Sequence, residues 1–249
     1  MSLFSRFQIS DEVEKARAVE RLVKGSTPDF DFFLFVILAV LMATLGLVLD
    51  SAAVVIGSML IAPILYPVLS LALSVVIGDY VLFYRSLYTI FKSVGFAIAL
   101  ALIAALFTGS ISETSEIMSR VEPNLAYFMV AVISGFAVAY TLVQPDLNET
   151  FPGIAVSVAL LPPLAVVGVG IAMLRVDIVF GSLALFSVNV LGILFAALLS
   201  FSLMNLSNKK QIASSTLKKE AKRVEEEKRA IEELDQKHNH IKVPPESHE

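Results

Sequence analysis

Residues 50–79 read DSAAVVIGSMLIAPILYPVLSLALSVVIGD. Helices on the surface of soluble domains are apolar along one stripe, whereas this stretch is apolar on almost every face, as in lipid or a large core. At about 1.5 Å per residue it is long enough to cross a hydrocarbon core of about 30 Å. Pro63 falls about twelve residues in, near the centre of such a span. It removes one backbone donor and frees the carbonyl of Met59, four residues back, and Pro67 adds a second interruption. Facing lipid, these groups would cost several kcal/mol, so the break must face protein, water or a solute.

A second stretch, residues 149–177, reads ETFPGIAVSVALLPPLAVVGVGIAMLRVD. Setting residue 149 against residue 50 aligns Glu149, Thr150, Ser157, Pro162, Leu164 and Val167 with Asp50, Ser51, Ser58, Pro63, Leu65 and Val68. Pro162 then has the depth of Pro63 and frees the carbonyl of Val158, with Pro163 as its second interruption. With small adjustments Asp79 meets Asp177 and Gly95 meets Gly192. Polar landmarks in register within apolar sequence point to an internal duplication. Three crossings per copy would force the second to enter the membrane from the opposite face, giving inverted repeats. Such repeats recur in secondary transporters, whose broken helices bind solutes or ions near the midplane.

Composition agrees: the chain is 56% hydrophobic and 17% charged, with a mean hydropathy of +0.77, against about a quarter charged in soluble domains. Most charges lie in residues 1–29 and 207–249. The first apolar stretch begins too far in and runs too long for a signal peptide. With no cysteine and no tryptophan, thiolate chemistry is excluded and the interfacial belt falls to Tyr80, Tyr84, Tyr88, Tyr127 and Tyr140. Nothing in the charge pattern suggests nucleic acid.

The fold class expected is an all-α membrane protein. Six spans are predicted at about 31–49, 52–78, 81–108, 125–143, 151–174 and 178–206, as repeats over about 31–108 and 125–206. An amphipathic segment, 1–30, precedes them, and a charged helix with a disordered tail, 207–249, follows. Residues 11–24 place Val13, Ala16, Val19, Leu22 and Val23 on one face, with Ser10 as N-cap and Gly25 as stop; their mixed charges favour packing on protein over lying on the membrane. In the C-terminal helix, opposite charges four apart give a solvated ladder. Leu217, Val224 and Ile231 repeat every seven residues, but Glu220 and Glu227 spoil a sustained coiled coil.

Lys and Arg concentrate in the N-terminal segment, after span 2 (Arg85, Lys92) and at Lys209 and Lys210, so both termini are expected in the cytoplasm of a multi-pass inner-membrane protein. The loop after span 4 has no basic residue and adds nothing to that orientation. Small residues four apart, Ala97, Ala101 and Ala105 or Ala131, Gly135 and Ala139, allow close helix approach within or between subunits. Partners expected are the bilayer, a second copy of the chain and an unknown small solute or ion.

Candidate pathway residues are Asp50, Ser51, Ser58, Met59, Pro63, Pro67, Glu149, Thr150, Ser157, Val158, Pro162, Pro163 and Asn189. Each has a plainer reading. The prolines could only kink helices, with Ser58 and Ser157 satisfying the loosened backbone. Asp50 and Glu149 could only cap helices. Asp79, Arg85, Lys92, Arg175 and Asp177 fit interface anchors better than a pathway, which Asn189, inside span 6, suits more.

The combination of short turn, AVVIGSMLIAP, second proline and terminal Gly78-Asp79 resembles the signature of the domain-of-unknown-function 389 family, hydrophobic membrane proteins of bacteria and archaea. The resemblance runs from about residue 30 to about 205 and includes ALLPPLAVVGVG (residues 159–170). It implies a membrane architecture and no particular activity.

The leading functional expectation is a small-solute or ion transporter with its pathway between the proline-broken spans 2 and 5. A non-transporting scaffold acting through the cytoplasmic helices is the alternative. Enzymatic activity, catalytic residues, metal and cofactor are not expected: His238, His240 and His248 all lie in the tail, and no HExxH, phosphate loop or metal-spaced cluster occurs.

Overall fold

A computed structural model of the chain describes residues 12–109, 111–144 and 160–242, with side chains to residue 234. Those residues are helical, without strands. In chain order the helices are α1 (Glu12–Gly25), α2 (Phe30–Val48), α3 (Ala52–Ile61), α4 (Leu65–Ile77), α5 (Tyr80–Phe107), α6 (Ser115–Met118), α7 (Leu125–Val143), α8 (Leu161–Ala172) and α9 (Val176–Leu203). A 3-10 turn, Leu206–Lys209, leads into α10 (Lys210–Lys242).

Among the described residues four helices, α2, α5, α7 and α9, are long and apolar enough to cross a membrane. The pair α3 and α4 makes a fifth if taken as one broken span, bent by 49°. The bend sits where the prolines predict it: α3 ends at an extended Ala62 and α4 starts after Pro63. Tyr66 N–H donates to the Pro63 carbonyl at 3.2 Å, taking up the acceptor that Pro67 leaves free.

The second interruption differs from the expected one. Pro162 and Pro163 occupy the first turn of α8, where a missing N–H costs nothing. Residues 151–159 of the expected fifth span lie outside the described residues. Taken as helices, α4 and α8 start at Leu65 and Leu161, an offset of 96 that pairs Pro67 with Pro163. The sequence register of 99 paired Pro63 with Pro162, so the half-helices are shifted by three residues, nearly one turn.

The offset of 96 persists. Gly78 (φ 64) and Leu174 (φ 56) are both left-handed, and the next N–H in each case reaches back five residues, Asp79 to Ser74 at 3.0 Å and Arg175 to Gly170 at 2.9 Å. This helix-ending turn satisfies orphan carbonyls and reverses the chain. Then follow α5 and α9, each 28 residues. Asp79 therefore corresponds to Arg175 as the residue before the long helix, not to Asp177, which sits inside the first turn of α9. Upstream, α2 and α7 are both 19 residues and both N-capped, by Asp29 onto Phe32 N–H and by Asn124 onto Tyr127 N–H.

The half-helices form the centre. All residues from Leu161 to Gly170 are buried, as are Pro67 to Ser74. The main partners of α4 are α5, α9 and α1, while those of α8 are α5, α9 and α2. Small residues set the approach. A Cβ on Gly168 would fall 2.6 Å from the Ala101 Cβ, and one on Gly192 would fall 2.7 Å from the Ala131 Cβ. Both small-residue stripes thus pack helices within one chain: Ala97, Ala101 and Ala105 line the buried face of α5, and Ala131, Gly135 and Ala139 that of α7.

Helix α1 packs on protein, against α4 and α10. Its buried face holds Lys15, Ala18, Val19, Leu22 and Val23. Val13 and Ala16, expected there, are exposed and half-buried; the face is rotated because α1 nestles between two helices and so turns Ala18 inward too.

Candidate functional site

Of the residues expected to line a pathway, Glu149, Thr150, Ser157 and Val158 lie outside the described residues. Ser58 is fully buried and donates to the Val55 carbonyl at 2.6 Å, so it back-bonds within α3 and leaves the Met59 carbonyl to others. Met59 is half-buried. Asp50 is exposed and left-handed (φ 51). Its Oδ1 accepts from Glu116 N–H at 2.8 Å, tying down α6 rather than capping α3. Ser51 is the N-cap residue of α3 but makes no side-chain capping bond. Pro63 is half-buried, and Pro67, Pro162, Pro163 and Asn189 are buried.

A polar stripe runs along the buried face of α5 through Ser86, Thr89 and Ser93. Thr89 donates to the Arg85 carbonyl at 3.0 Å and Ser93 to the Thr89 carbonyl at 2.7 Å. The corresponding face of α9 carries Ser182, Asn189 and Ser200, with Ser200 donating to the Ala196 carbonyl at 2.8 Å. These hydroxyls mostly spend their proton on the preceding turn. Two do not: the Oγ atoms of Ser86 and Ser182 are buried without a hydrogen-bond partner among the described residues. The two serines are related by the offset of 96, as are Ser93 and Asn189. An orphaned buried hydroxyl costs about 1–3 kcal/mol, so its occurrence twice at matched positions calls for a physical reason.

Sequence reading missed Ser86 and Ser182 because its adjusted register in the third and sixth spans, which set Gly95 against Gly192, pairs Ser86 with Leu183. The offset of 96 followed by the helix ends gives a serine, then a polar residue seven positions on, in both spans.

Outside the bundle interior, two clefts correspond residue by residue. One, of 320 Å³, is lined by Ser74, Val75, Gly78, Asp79, Tyr80, Phe83 and Tyr84. The other, of 290 Å³, is lined by Gly170, Ile171, Leu174, Arg175, Val176, Val179 and Phe180, every one 96 residues further on.

The chemistry of the two junctions differs. Asp79 caps α5, accepting from Val81 and Leu82 N–H at 2.9 and 3.0 Å, and accepts from the Ser214 hydroxyl of α10 at 2.9 Å. Lys210 donates to the Gly78 carbonyl at 2.7 Å. Arg85 Nη2 donates to Thr27 Oγ1 at 3.1 Å and Nη1 to the Leu217 carbonyl at 3.4 Å. The first junction is thereby held by α10 and by the turn that follows α1. At the second, Arg175 pairs with Asp177 at 2.7 Å and with Glu113. Hydrogen bonds to Asp177, then Glu113, hold the guanidinium above its ordinary pKa. Lys92, on the outer face of α5, places its ammonium 4.7 Å from the Phe33 ring centre and 5.9 Å from that of Tyr88, one turn back.

Among the described residues no cluster of His, Cys, Asp and Glu could hold a metal ion. Among the described residues the buried charged side chains, Lys15, Asp79 and Glu220, lie on or against the terminal helices.

No solved structure matches the chain. An uncharacterized protein of Methanocaldococcus jannaschii is 33% identical over 206 residues, covering 79% of this chain. The chain spans 64% of that relative's length. The family model described as a domain of unknown function, DUF389, matches residues 59–195, which include the break after Pro63, both half-helices and most of α9. The chain therefore belongs to the DUF389 family.

Proposed function

We propose that the chain crosses the membrane six times as two inverted three-span repeats and carries a small solute or ion between the proline-interrupted spans, past the polar stripes of α5 and α9, helices that each pack on both half-helices. Contacts at the helix ends support six crossings. The residues around Thr27, the α4–α5 junction and the start of α10 are bonded to one another, so they share one end of the bundle. Asp50 is bonded to Glu116, and Glu113 to Arg175, so those turns share another. Assigning these turns to their ends makes α2, the α3–α4 pair, α5 and α9 one crossing each, and α7, which starts at the same end as Arg175, needs a return crossing before that residue, which makes six. An even number of crossings also agrees with α1 packing on α10.

Matched helix lengths, matched left-handed turns, matched clefts and the exchange of partners, α4 on α9 and α8 on α5, support the repeat. The basic residues at the end that holds both terminal helices support its being cytoplasmic.

The observation that carries the transport reading is the pair of buried hydroxyls at Ser86 and Ser182 that have no partner among the described residues. In a dry bundle they would be pure cost; beside a pathway they bind what passes. The chain has no cysteine, so single cysteines can be introduced without removing any. Purified protein in liposomes would be assayed for flux of ions and small neutral solutes, alongside reaction of S86C and S182C with small water-soluble thiol reagents. Transport predicts flux that falls in S86A and S182A, and labelling of both cysteines. Unlabelled cysteines together with equal flux in all variants would sink it.

A scaffold is the second reading, favoured by the closure of Ser58 and by the clasp of α1 and α10 over the first junction. An absence of flux for every solute, with α10 deletion abolishing association with cytoplasmic proteins, would select it.

A further inference from the structure

We propose that the cytoplasmic end carries a binding site for the headgroup of an anionic phospholipid, between the first two turns of α5 and the first half of α10. The site is a cavity of 370 Å³ lined by Val81, Arg85, Ser214, Leu217, Lys218 and Ala221, within the range of about 300–1,000 Å³ usual for small-molecule pockets. Three observations converge on it.

The first is its level. Arg85 meets the Leu217 carbonyl, which lays α10 alongside α5 just inside the start of that span. On the outer face of the same turns Tyr80, Tyr84 and Tyr88 are exposed. Exposed tyrosines at a span end mark the headgroup region, so the cavity opens where phosphates lie.

The second is charge. Between residues 210 and 224, α10 carries Lys210, Lys218, Lys219, Lys222 and Arg223 against a single acid, Glu220. From 225 to 235 the balance reverses, with Glu225, Glu226, Glu227, Glu232, Glu233 and Asp235 against Lys228 and Arg229. A solvated helix has no need of this polarity. A basic half next to the last span and an acidic half beyond it suit a surface of anionic lipid.

The third is the cavity's chemistry. Arg85 uses two of its five N–H donors on Thr27 and Leu217, leaving donors for a phosphate. Lys218 is exposed at the rim, and Val81, Leu217 and Ala221 supply an apolar wall for glycerol and upper acyl carbons. Of the nearby acids, Asp79 caps α5 and holds Ser214. The buried Glu220 carboxylate is 2.9 Å from Arg223 as an ion pair and also acts on the Arg85 charge, while taking up none of its hydrogen-bond donors. The proposal does not depend on transport.

The test uses the full chain purified in neutral detergent, with bound lipid counted by native mass spectrometry. Phosphatidylglycerol, phosphatidylcholine with the same acyl chains, and inorganic phosphate are titrated separately. Phosphatidylglycerol should be retained one per chain in preference to phosphatidylcholine, and K218Q should weaken it about fivefold, the effect of one interfacial charge. A221W, which fills the cavity, should abolish the preference, and inorganic phosphate should not compete. Both positions are exposed, so these variants fold even if R85Q does not. Equal retention of the two lipids, a preference unaltered in both K218Q and A221W, or competition by inorganic phosphate at the same concentration would overturn the proposal.

Discussion

Gly168 of α8 approaches Ala101 of α5 so closely that a Cβ on the glycine would lie 2.6 Å from the alanine Cβ and 2.7 Å from the Ile98 carbonyl oxygen. The obstacle includes backbone, which cannot rotate aside, and the contact fixes the fully buried half-helix against a long span. Gly168→Val should therefore destabilise the protein by about 1–3 kcal/mol, the usual cost of overpacking. Gly95→Val is the control, because a Cβ there meets nothing within 4 Å. Thermal unfolding in detergent should separate the two; equal melting temperatures would show that the crossing is not close.

Asp79 joins three elements by ending α4, capping α5 and accepting from α10. Asp79→Ala should cost about 1–2 kcal/mol through loss of the cap alone. Asp79→Ser should recover most of that stability, since serine can cap, but not the link to Ser214. A serine variant as unstable as the alanine one would place the importance of Asp79 in the α10 contact.

Ser86 and Ser93 lie on one stripe but differ in bonding, since Ser93 donates to Thr89 and Ser86 has no partner among the described residues. Removing an unsatisfied buried hydroxyl relieves a desolvation cost. Ser86→Ala and Ser182→Ala should leave the melting temperature unchanged or raised. A fall of several degrees in either would reveal a hydrogen bond to that hydroxyl.

Glu12 is bound to Lys209, which joins the N-terminal helix to the turn before α10. The hydrogen bond from Lys209, then that from Lys15, holds its carboxyl below the ordinary 4.5. A depressed carboxyl pKa means the link contributes above the unfolded-state value and is lost as pH falls through the folded one. The clasp should thus be intact at neutral pH and loosen only once the pH has fallen below the ordinary carboxylate range. Spin labels at Arg17→Cys and Lys219→Cys, read by pulsed electron resonance, should show a broader distance distribution on acidification, absent in Glu12→Gln. A distribution independent of pH would remove Glu12 from the clasp.

The sequence by itself determined the membrane character, the helical class, the family and the break after Pro63. These are local: apolarity over a span and a proline's missing N–H act whatever the neighbours are. It also suggested a duplication, but with a register of 99 where the half-helices follow 96. Apolar residues are nearly interchangeable in sequence comparison, whereas a turn's difference decides which side chains face inward. Only the tertiary structure decided that Asp50 serves α6, that Asp79 and Arg175 both stand just before a 28-residue helix, that the small-residue stripes join helices of one chain, and that Ser86 and Ser182 are buried without a partner among the described residues. Each of those depends on which helix lies opposite, and that is set by packing between segments far apart in the chain.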